Sequence, residues 1–119
     1  MLKAQNRLRK ARDIARVYKQ GQYGSGEGLL SVKAVRGVAP QSRAVVVVGK
    51  KIDKRAVVRN TIRRRLVGAL NDIWATVPPG CDIVVSVHSD VSHLEAARLR
   101  DLLAGALRRA GVTANKLRE

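Results

Sequence analysis

Two short valine-rich runs constrain the fold of this chain more than any other feature. The first is RAVVVVG at residues 43–49, and the second is CDIVVSV at residues 81–87. Continuous apolar runs of this length are typical of strands that are buried on both faces. The segment LLSVKAV at residues 29–35 alternates loosely between apolar and polar side chains and predicts another strand. The sequence therefore predicts a small sheet at the centre of the molecule.

Three other segments have helical spacing. Residues 8–20 are followed by Gly21 as a stop signal, and their apolar positions recur on one helical face at Leu8, Ala11, Ile14, Ala15 and Tyr18. A second stripe runs from Val58 to Ile73 and is stopped by the Pro-Pro-Gly turn at 78–80. We interpret the Ser-His-Leu-Glu sequence at 92–95 as a capping box that begins a last helix, which ends at Gly111.

The remaining segments are predicted to be connections. The glycine-rich residues 21–28 are interpreted as a flexible loop, because no Gly-Lys-Ser/Thr follows them as a phosphate-binding loop requires. A short strand near Gly49–Ile52 is left open, and residues 112–119 are expected to be frayed or to form a short edge element. The order α-β-β(-β)-α-β-α predicts an α/β (α+β) two-layer sandwich, a small mixed sheet packed by helices, as a single domain over residues 1–119.

Composition excludes several classes of protein. The apolar fraction of 45% is too high for a disordered basic tail. The single cysteine, Cys81, allows neither an intramolecular disulfide nor a cysteine zinc site, and we interpret it as a small core residue. No apolar run is long enough to span a membrane, and the first ten residues lack the apolar stretch of a secretion signal. We therefore expect a cytoplasmic protein with no membrane partner.

Charge is concentrated in two segments. The chain has 24 Lys and Arg against 9 Asp and Glu, a net charge of +15. Residues 1–20 carry a net +6 and residues 50–65 a net +7, whereas the basic and acidic residues balance from Leu66 to the end. Because unbalanced positive charge repels itself, its retention in two places indicates a polyanionic partner.

The second basic segment places its arginines on a helix. Arg59 and Arg63 are four residues apart and lie on one helical face, while Asn60 and Arg64 form a second row on the same side and Arg65 points elsewhere. The planar guanidinium group can donate two parallel hydrogen bonds to a phosphate. A basic patch alone does not distinguish RNA from DNA.

The segment KKIDKRAVVRNTIRRRL resembles the RNR signature of the protein subunit of bacterial ribonuclease P. Arg59 and Asn60 match the first two letters of that signature, and Arg63 with Arg64 matches the basic pair that follows. Thr61 stands where the second Arg of the signature is expected, and Val67 where many members carry another basic residue. The resemblance extends over most of the chain, through the opening helix, the order of the strands and the final helix.

This resemblance implies a subunit of a ribonucleoprotein endonuclease that removes the 5′ leader of precursor tRNA. The RNA subunit would be the catalyst, with Mg²⁺ held by RNA and none bound by protein side chains alone. One protein, a monomer when free, would bind each catalytic RNA through Lys50, Lys51, Lys54, Arg55, Arg59, Asn60, Arg63, Arg64 and Arg65. The precursor's leader would lie in a cleft between the first helix and the sheet, against Arg9, Arg12, Ile14, Tyr18, Leu30, Val32 and Lys33.

Three alternatives remain from the residues themselves. The main one is a non-catalytic structural RNA-binding protein of ribosomal type, and a second is a nucleoid-type DNA binder. The third is a protein nuclease that would use His88, Asp90 and His93 for acid–base chemistry. The third is disfavoured because nothing in the sequence places these three side chains on one face, and no catalytic residue is therefore expected on this chain.

Overall fold

The computed structural model describes residues 2–112. Its three helices and four strands occur in the order α1 (Ala11–Gln20), β1 (Gln22–Gly26), β2 (Leu30–Arg36), β3 (Arg43–Val47), α2 (Ala56–Asp72), β4 (Cys81–Val87) and α3 (Ala96–Arg109). Two single turns of 3-10 helix, Ala4–Asn6 and Trp74–Thr76, precede α1 and follow α2. Within these described residues, no helix is both long and apolar enough to cross a bilayer.

The four strands form one mixed sheet in the order β1-β2-β4-β3. The pairs β1–β2 and β2–β4 are antiparallel, whereas β3 and β4 are parallel. Parallel neighbours need a crossover connection, and α2 provides it. The predicted mixed sheet packed by helices is therefore confirmed. The prediction that all valines of the first run are buried is wrong at Val47, which is 36% exposed because it points to the sheet face opposite the main core.

The prediction of a flexible loop at residues 21–28 is wrong. Residues 22–26 form β1, which pairs with β2 from Gln22↔Ala34 to Gly26↔Leu30. A Cβ atom on Gly24 would lie 2.1 Å from the carbonyl oxygen of Ala106 in α3. Glycine is thus required because α3 packs directly on this strand. The additional strand that the sequence left open near Gly49–Ile52 does not form there, because the Ile52 amide closes a turn on the Gly49 carbonyl. The fourth strand of the sheet is β1.

The main core lies between one face of the sheet and the helices α2 and α3. Alternate residues of β2 enter it, because successive side chains of a strand point to opposite faces. The strands contribute Leu30, Val32, Ala34, Ala44, Val46, Ile83, Val85 and Val87. The helices contribute Ile62, Leu66, Ala69 and Leu70 from α2, and Leu99, Leu102, Leu103, Ala106 and Leu107 from α3. The apolar stripes predicted for both helices are therefore confirmed.

The two ends of α3 differ from each other in how well the sequence predicted them. The capping box is wrong, since α3 begins at Ala96 and the amide of Ser92 bonds to the carboxylate of Asp90. The end at Gly111 is confirmed: its φ is +82°, and its amide bonds to the Arg108 carbonyl. The Val112 amide bonds to the Leu107 carbonyl, which completes a Schellman motif. The expected frayed tail beyond Val112 lies outside the described residues.

The helix α1 covers part of the opposite face of the sheet. It begins at Ala11, three residues later than predicted, because the Leu8 amide instead bonds to the carbonyl of Ala44 in β3. A second, smaller core joins Leu8 and Val17 to Val84 of the sheet. Ile14, Val35 and Val45 pack against this smaller core and are only partly buried. At the β1 side of this face Tyr23 is 56% exposed, and we call the part of the face around Tyr23 and Lys33 the open face.

Candidate nucleic-acid interface

The approach to α2 carries a set of exposed cations. Lys50, Lys51 and Lys54 lie in the turn between β3 and α2, and their side chains are exposed. Arg55 is also exposed, but it forms an ion pair with Asp53 at 3.0 Å. The Arg55 side chain holds the pKa of the Asp53 carboxyl below its ordinary value, so this carboxylate offsets one of the cations. The sequence-predicted extension of the basic patch is thus exposed, with its charge reduced at Arg55.

The first turns of α2 hold its arginines in different ways. Arg59 is partly buried, and its Nη1 donates to the carbonyls of Asp53 and Lys54 at 3.0 and 2.8 Å. Arg63 donates from Nη1 to the Asn60 side-chain oxygen at 2.6 Å. Arg59 therefore stabilises the turn that leads into α2. The Arg63–Asn60 pair fixes the guanidinium plane at the surface, and Arg64 is exposed in the next position.

Arg65 does not belong to this surface. Its two terminal nitrogens donate to the carbonyls of Ser92 and Leu94 in the connection between β4 and α3. The interpretation that Arg65 points elsewhere is therefore confirmed, whereas its contact with RNA stays a prediction. The physical reason is its helical position, about 200° around α2 from Arg63, which turns it toward α3 and not toward the arginine rows.

The two basic segments meet in three dimensions. A groove of about 350 Å³ separates the N-terminal segment from β3 and α2, and Arg7, Leu8 and Arg9 line it together with Arg63 and Val67. Arg9, which we assigned to the leader cleft, thus also lines this groove. We call this feature the N-terminal groove, defined by Leu2, Arg7, Leu8, Arg9, Arg63 and Val67. Its mouth brings arginines from residues 1–20 and 50–65 to one surface.

Tyr18 lies where α1 meets the open face. Its side chain is 41% exposed, and its hydroxyl is 3.3 Å from the Ser86 hydroxyl of β4. The Lys33 ammonium donates to the Tyr18 carbonyl at 2.8 Å and lies 5.9 Å from the centre of its ring. Two predicted cleft residues, Tyr18 and Lys33, are therefore brought together. Arg12 is exposed on the first turn of α1, and Ile14 is partly buried in the smaller core.

Leu30 and Val32 do not line this cleft, and their assignment to it is wrong. Both are fully buried in the main core, on the sheet face opposite α1. The period of two in a strand instead turns Ser31 and Lys33 toward α1. Ser31 pairs with Ser86, and its hydroxyl is 2.8 Å from His88 Nε2. Sequence reasoning missed these polar residues, although the alternation of β2 could have indicated them.

Tyr23 was also missed as a surface residue. It pairs with Lys33 across β1 and β2, so both side chains project from the same face of the sheet. The Tyr23 side chain is 56% exposed. The open face is therefore bordered by two aromatic rings, and Lys33 is close to both: it pairs with Tyr23 across the strands and lies 5.9 Å from the Tyr18 ring centre.

A buried carboxylate anchors α1 on the sheet. Asp82 of β4 is fully buried and accepts a hydrogen bond from Arg16 of α1 at 2.7 Å. Arg16 also donates to the Arg36 carbonyl at the end of β2. These contacts hold the middle of α1 against the ends of β2 and β4.

Two of the three residues considered for acid–base chemistry, His88 and Asp90, have other hydrogen-bond partners. His88 is bonded to Ser31, whereas the Asp90 carboxylate accepts from the Ser92 amide, and these contacts to Ser92 lower the pKa of Asp90. Across residues 2–112, no group of three His, Cys, Asp or Glu side chains is arranged to hold a metal ion.

The fold and this surface define a class of small, strongly basic α+β proteins, in which a cationic helix lies beside a partly open sheet face. The sequence model of the family described as Ribonuclease P matches residues 2–111. The chain belongs to the ribonuclease P protein family.

Individual relatives agree with this assignment. The chain is 34% identical over 112 residues to the "Ribonuclease P protein component" of Pseudanabaena sp., which covers 94% of this chain and 97% of that protein. It is 36% identical over 118 residues to the component from Streptomyces avermitilis, at 92% and 94% coverage. The ribonuclease P protein from Thermotoga maritima superposes with a TM-score of 0.75 at 27% identity, over 87% of this chain and 96% of that one. Family membership implies a role in tRNA processing and a partnership with ribonuclease P RNA.

Proposed function

We propose that this protein is the RNA-binding cofactor of a ribonuclease P ribonucleoprotein, in which RNA carries out the cleavage. The observation that carries the proposal is the meeting of the two basic segments at the N-terminal groove, where Arg7 and Arg63 line one surface. A surface of this kind neutralises the phosphates of a folded RNA and releases their counterions. The catalytic RNA would bind along α2, through the exposed lysines that precede it and through Arg63 and Arg64.

The 5′ leader of precursor tRNA would bind at the open face. Tyr18 supplies an exposed ring on which a base can stack, and Lys33 supplies a cation beside it. Ser86 adds a hydroxyl group that can bond to a sugar or a base, whereas the Ser31 hydroxyl is buried and bonded to His88. The leader would thus be held against α1 and the sheet, while the catalytic RNA occupies the surface along α2.

Divalent ions would be held by RNA in this arrangement. Each protein cation near the leader lowers the repulsion between the precursor and the catalytic RNA. Mg²⁺, which supplies Lewis acidity for phosphodiester hydrolysis, would then be retained by RNA phosphates at a lower free concentration. One protein, a monomer before assembly, would serve each RNA.

The first test is cleavage of precursor tRNA at low Mg²⁺ with a bacterial ribonuclease P RNA, in the presence and absence of the protein. We expect stimulation by the mixture and no cleavage by the protein alone. Transcripts from Streptomyces avermitilis and Pseudanabaena, the sources of two similar relatives, are suitable RNAs. Binding without stimulation for both RNAs would instead favour a structural RNA-binding protein of ribosomal type.

A second test separates the two surfaces. Replacing Arg63 and Arg64 with Ala should weaken assembly with the catalytic RNA for every precursor, whereas Arg59 is left in place because it holds the turn before α2. A matched control is the double variant of Arg98 and Arg100, which lie on α3 in ion pairs with Glu27 and Asp72. Equal loss of assembly for both double variants would show that only the total charge matters.

A further inference from the structure

The N-terminal groove has features that phosphate binding alone does not require. Its walls include Val67, which is only partly buried, and its floor includes Leu2 and Leu8, which are 4% and 2% exposed. An adjoining recess of about 410 Å³ shares Arg7, Arg63 and Val67. A phosphate would gain nothing from apolar walls, whereas the flat faces of a base would be removed from water there.

The two arginines at the mouth of the groove are held in place by other groups. Arg7 donates from Nε to the Leu2 carbonyl at 3.0 Å. Arg63 donates from Nη1 to Asn60 at 2.6 Å. Both guanidinium groups are therefore oriented before any ligand binds, which reduces the entropy cost of binding. Guanidinium planes stack on unpaired bases and also attract the phosphates that flank them.

We propose that the N-terminal groove receives one unpaired nucleobase of the RNA partner, between Arg7 and Arg63 and against Val67. The volume of the groove falls within the range of roughly 300–1,000 Å³ typical of small-ligand sites. The net charge of +15 favours an RNA segment over an apolar peptide as the occupant. This inference rests on the proposed function and adds a base-reading subsite to a surface otherwise described only by its charge.

Two valines of α2 allow a matched experiment. Val67 lines the groove, whereas Val57 lies near the start of the same helix and is 77% exposed. Val67→Lys and Val57→Lys add the same charge to the same helix. If only charge matters, both variants should bind ribonuclease P RNA more tightly than the unaltered protein. If the groove receives a base, Val67→Lys should bind at least about fivefold more weakly, because the base loses its apolar contact.

The measurement is equilibrium binding of each variant to a ribonuclease P RNA transcript, with footprinting of the same complexes by dimethyl sulfate, which reacts with A and C, and by a carbodiimide, which reacts with U and G. We expect one base to be protected by the unaltered protein and by Val57→Lys, and to be reactive with Val67→Lys. Binding of Val67→Lys as tight as that of Val57→Lys, or an unchanged footprint, would overturn the proposal. Stimulation of cleavage by the unaltered protein is measured first, so that a failure of the proposed function is seen separately.

A second pair of variants keeps the test possible if Val67→Lys does not fold. If thermal unfolding shows that Val67→Lys is not folded, Val67→Thr replaces it, with Val57→Thr as its control. Threonine keeps the shape of valine but replaces one methyl with a hydroxyl, so the groove stays open and becomes less apolar. We expect weaker RNA binding for Val67→Thr only. Equal binding by the two threonine variants would overturn the proposal.

Discussion

Arg43 and Asp82 form a two-point ion pair across the parallel strands β3 and β4. Arg43 donates from Nε and Nη2 to the two carboxylate oxygens of Asp82, at 2.9 and 2.8 Å. Asp82 in turn raises the pKa of the Arg43 guanidinium. Arg16 donates to the same carboxylate, so one buried anion joins β3, β4 and α1.

Replacing Asp82 with Asn should lower the free energy of unfolding by about 3 kcal/mol, the low end for breaking a buried pair. The low end applies because Arg16 and Arg43 are 27% and 16% exposed and can still reach water. Urea denaturation measures the change. Asp72→Asn, which breaks an exposed pair with Arg100, should cost less than about 1 kcal/mol. Similar losses for the two variants would contradict the role assigned to Asp82.

Replacing Tyr18 with Ala should weaken binding of precursors that carry a leader. Loss of one stacked base is worth about 1–3 kcal/mol, or roughly five- to a hundredfold in affinity. Tyr18→Phe keeps the ring and removes only the contact with Ser86, so it should stay close to the unaltered protein. Binding titrations with leader-bearing and leaderless precursors measure the effect. Equal losses for both substrates would argue against a leader site at Tyr18.

Neighbouring arginines of α2 should have different effects when removed. Arg64→Ala should reduce the salt dependence of RNA binding by ~0.7–0.9 in the slope of log K against log salt, with unchanged stability. Arg65→Ala should instead lower the free energy of unfolding by about 1–3 kcal/mol, because two carbonyls lose their donor. Salt titrations and urea denaturation of both variants test this difference. A loss of salt dependence in Arg65→Ala would place it on the RNA surface after all.

Two glycines should respond to alanine in opposite directions. Gly24→Ala places a methyl group 2.1 Å from the Ala106 carbonyl oxygen and 2.5 Å from the Ala110 nitrogen, and should cost about 2–3 kcal/mol. Gly68 lies within α2, and apart from its chain neighbours and the backbone of its own helix no atom would lie within 4 Å of the added carbon, so Gly68→Ala should stabilise the protein by about 1 kcal/mol. Thermal unfolding of the two variants measures both signs. A stabilised Gly24→Ala would mean that β1 and α3 do not pack this closely.

Stability should fall between about pH 9 and pH 11 because of Cys81. Burial, followed by the charge of Asp82, raises the pKa of this thiol from 9.0 to about 11. Above pH 9 the thiol ionises in the unfolded chain while it stays protonated in the folded one, so rising pH favours unfolding. A shift of two units corresponds to about 3 kcal/mol at the upper end of this range. The Cys81→Ala variant, compared by urea denaturation at each pH, should lack this component of the decline.

The sequence was sufficient to predict the elements whose side chains follow a regular period. The central strand β4 and the apolar stripes of α2 and α3 were predicted because burial on a regular element requires apolar residues at fixed spacing. The glycine at 111 indicated the end of α3, since few other residues adopt the φ of +82° found there. The sequence also showed the concentration of charge in two segments and the resemblance of α2 to the RNR signature.

Residues without such a period could not be predicted from the sequence. The glycines of β1 were interpreted as a loop. Their actual reason is the close approach of α3, which the sequence does not show because α3 is more than 70 residues away in the chain. The capping box had the expected residues, but Ser92 bonds to Asp90, and Arg65 crosses from α2 to the neighbouring carbonyls. Contacts from a distant segment decided the structure at β1 and Arg65, whereas at Ser92 one local contact replaced another.

The candidate site shows the same division between sequence and structure. The residue types of a polyanion-binding surface were predicted from the charge pattern, and Tyr18 with Lys33 was implied by the family resemblance. Only the tertiary structure showed which face of β2 is buried: Leu30 and Val32 point into the main core, and Ser31 points toward α1 with Ser86 of β4. Only the tertiary structure showed that Arg7 and Arg63 line the same groove. The physical reason is that sequence fixes the period of each element, whereas the face that each element buries depends on what the rest of the chain packs against it.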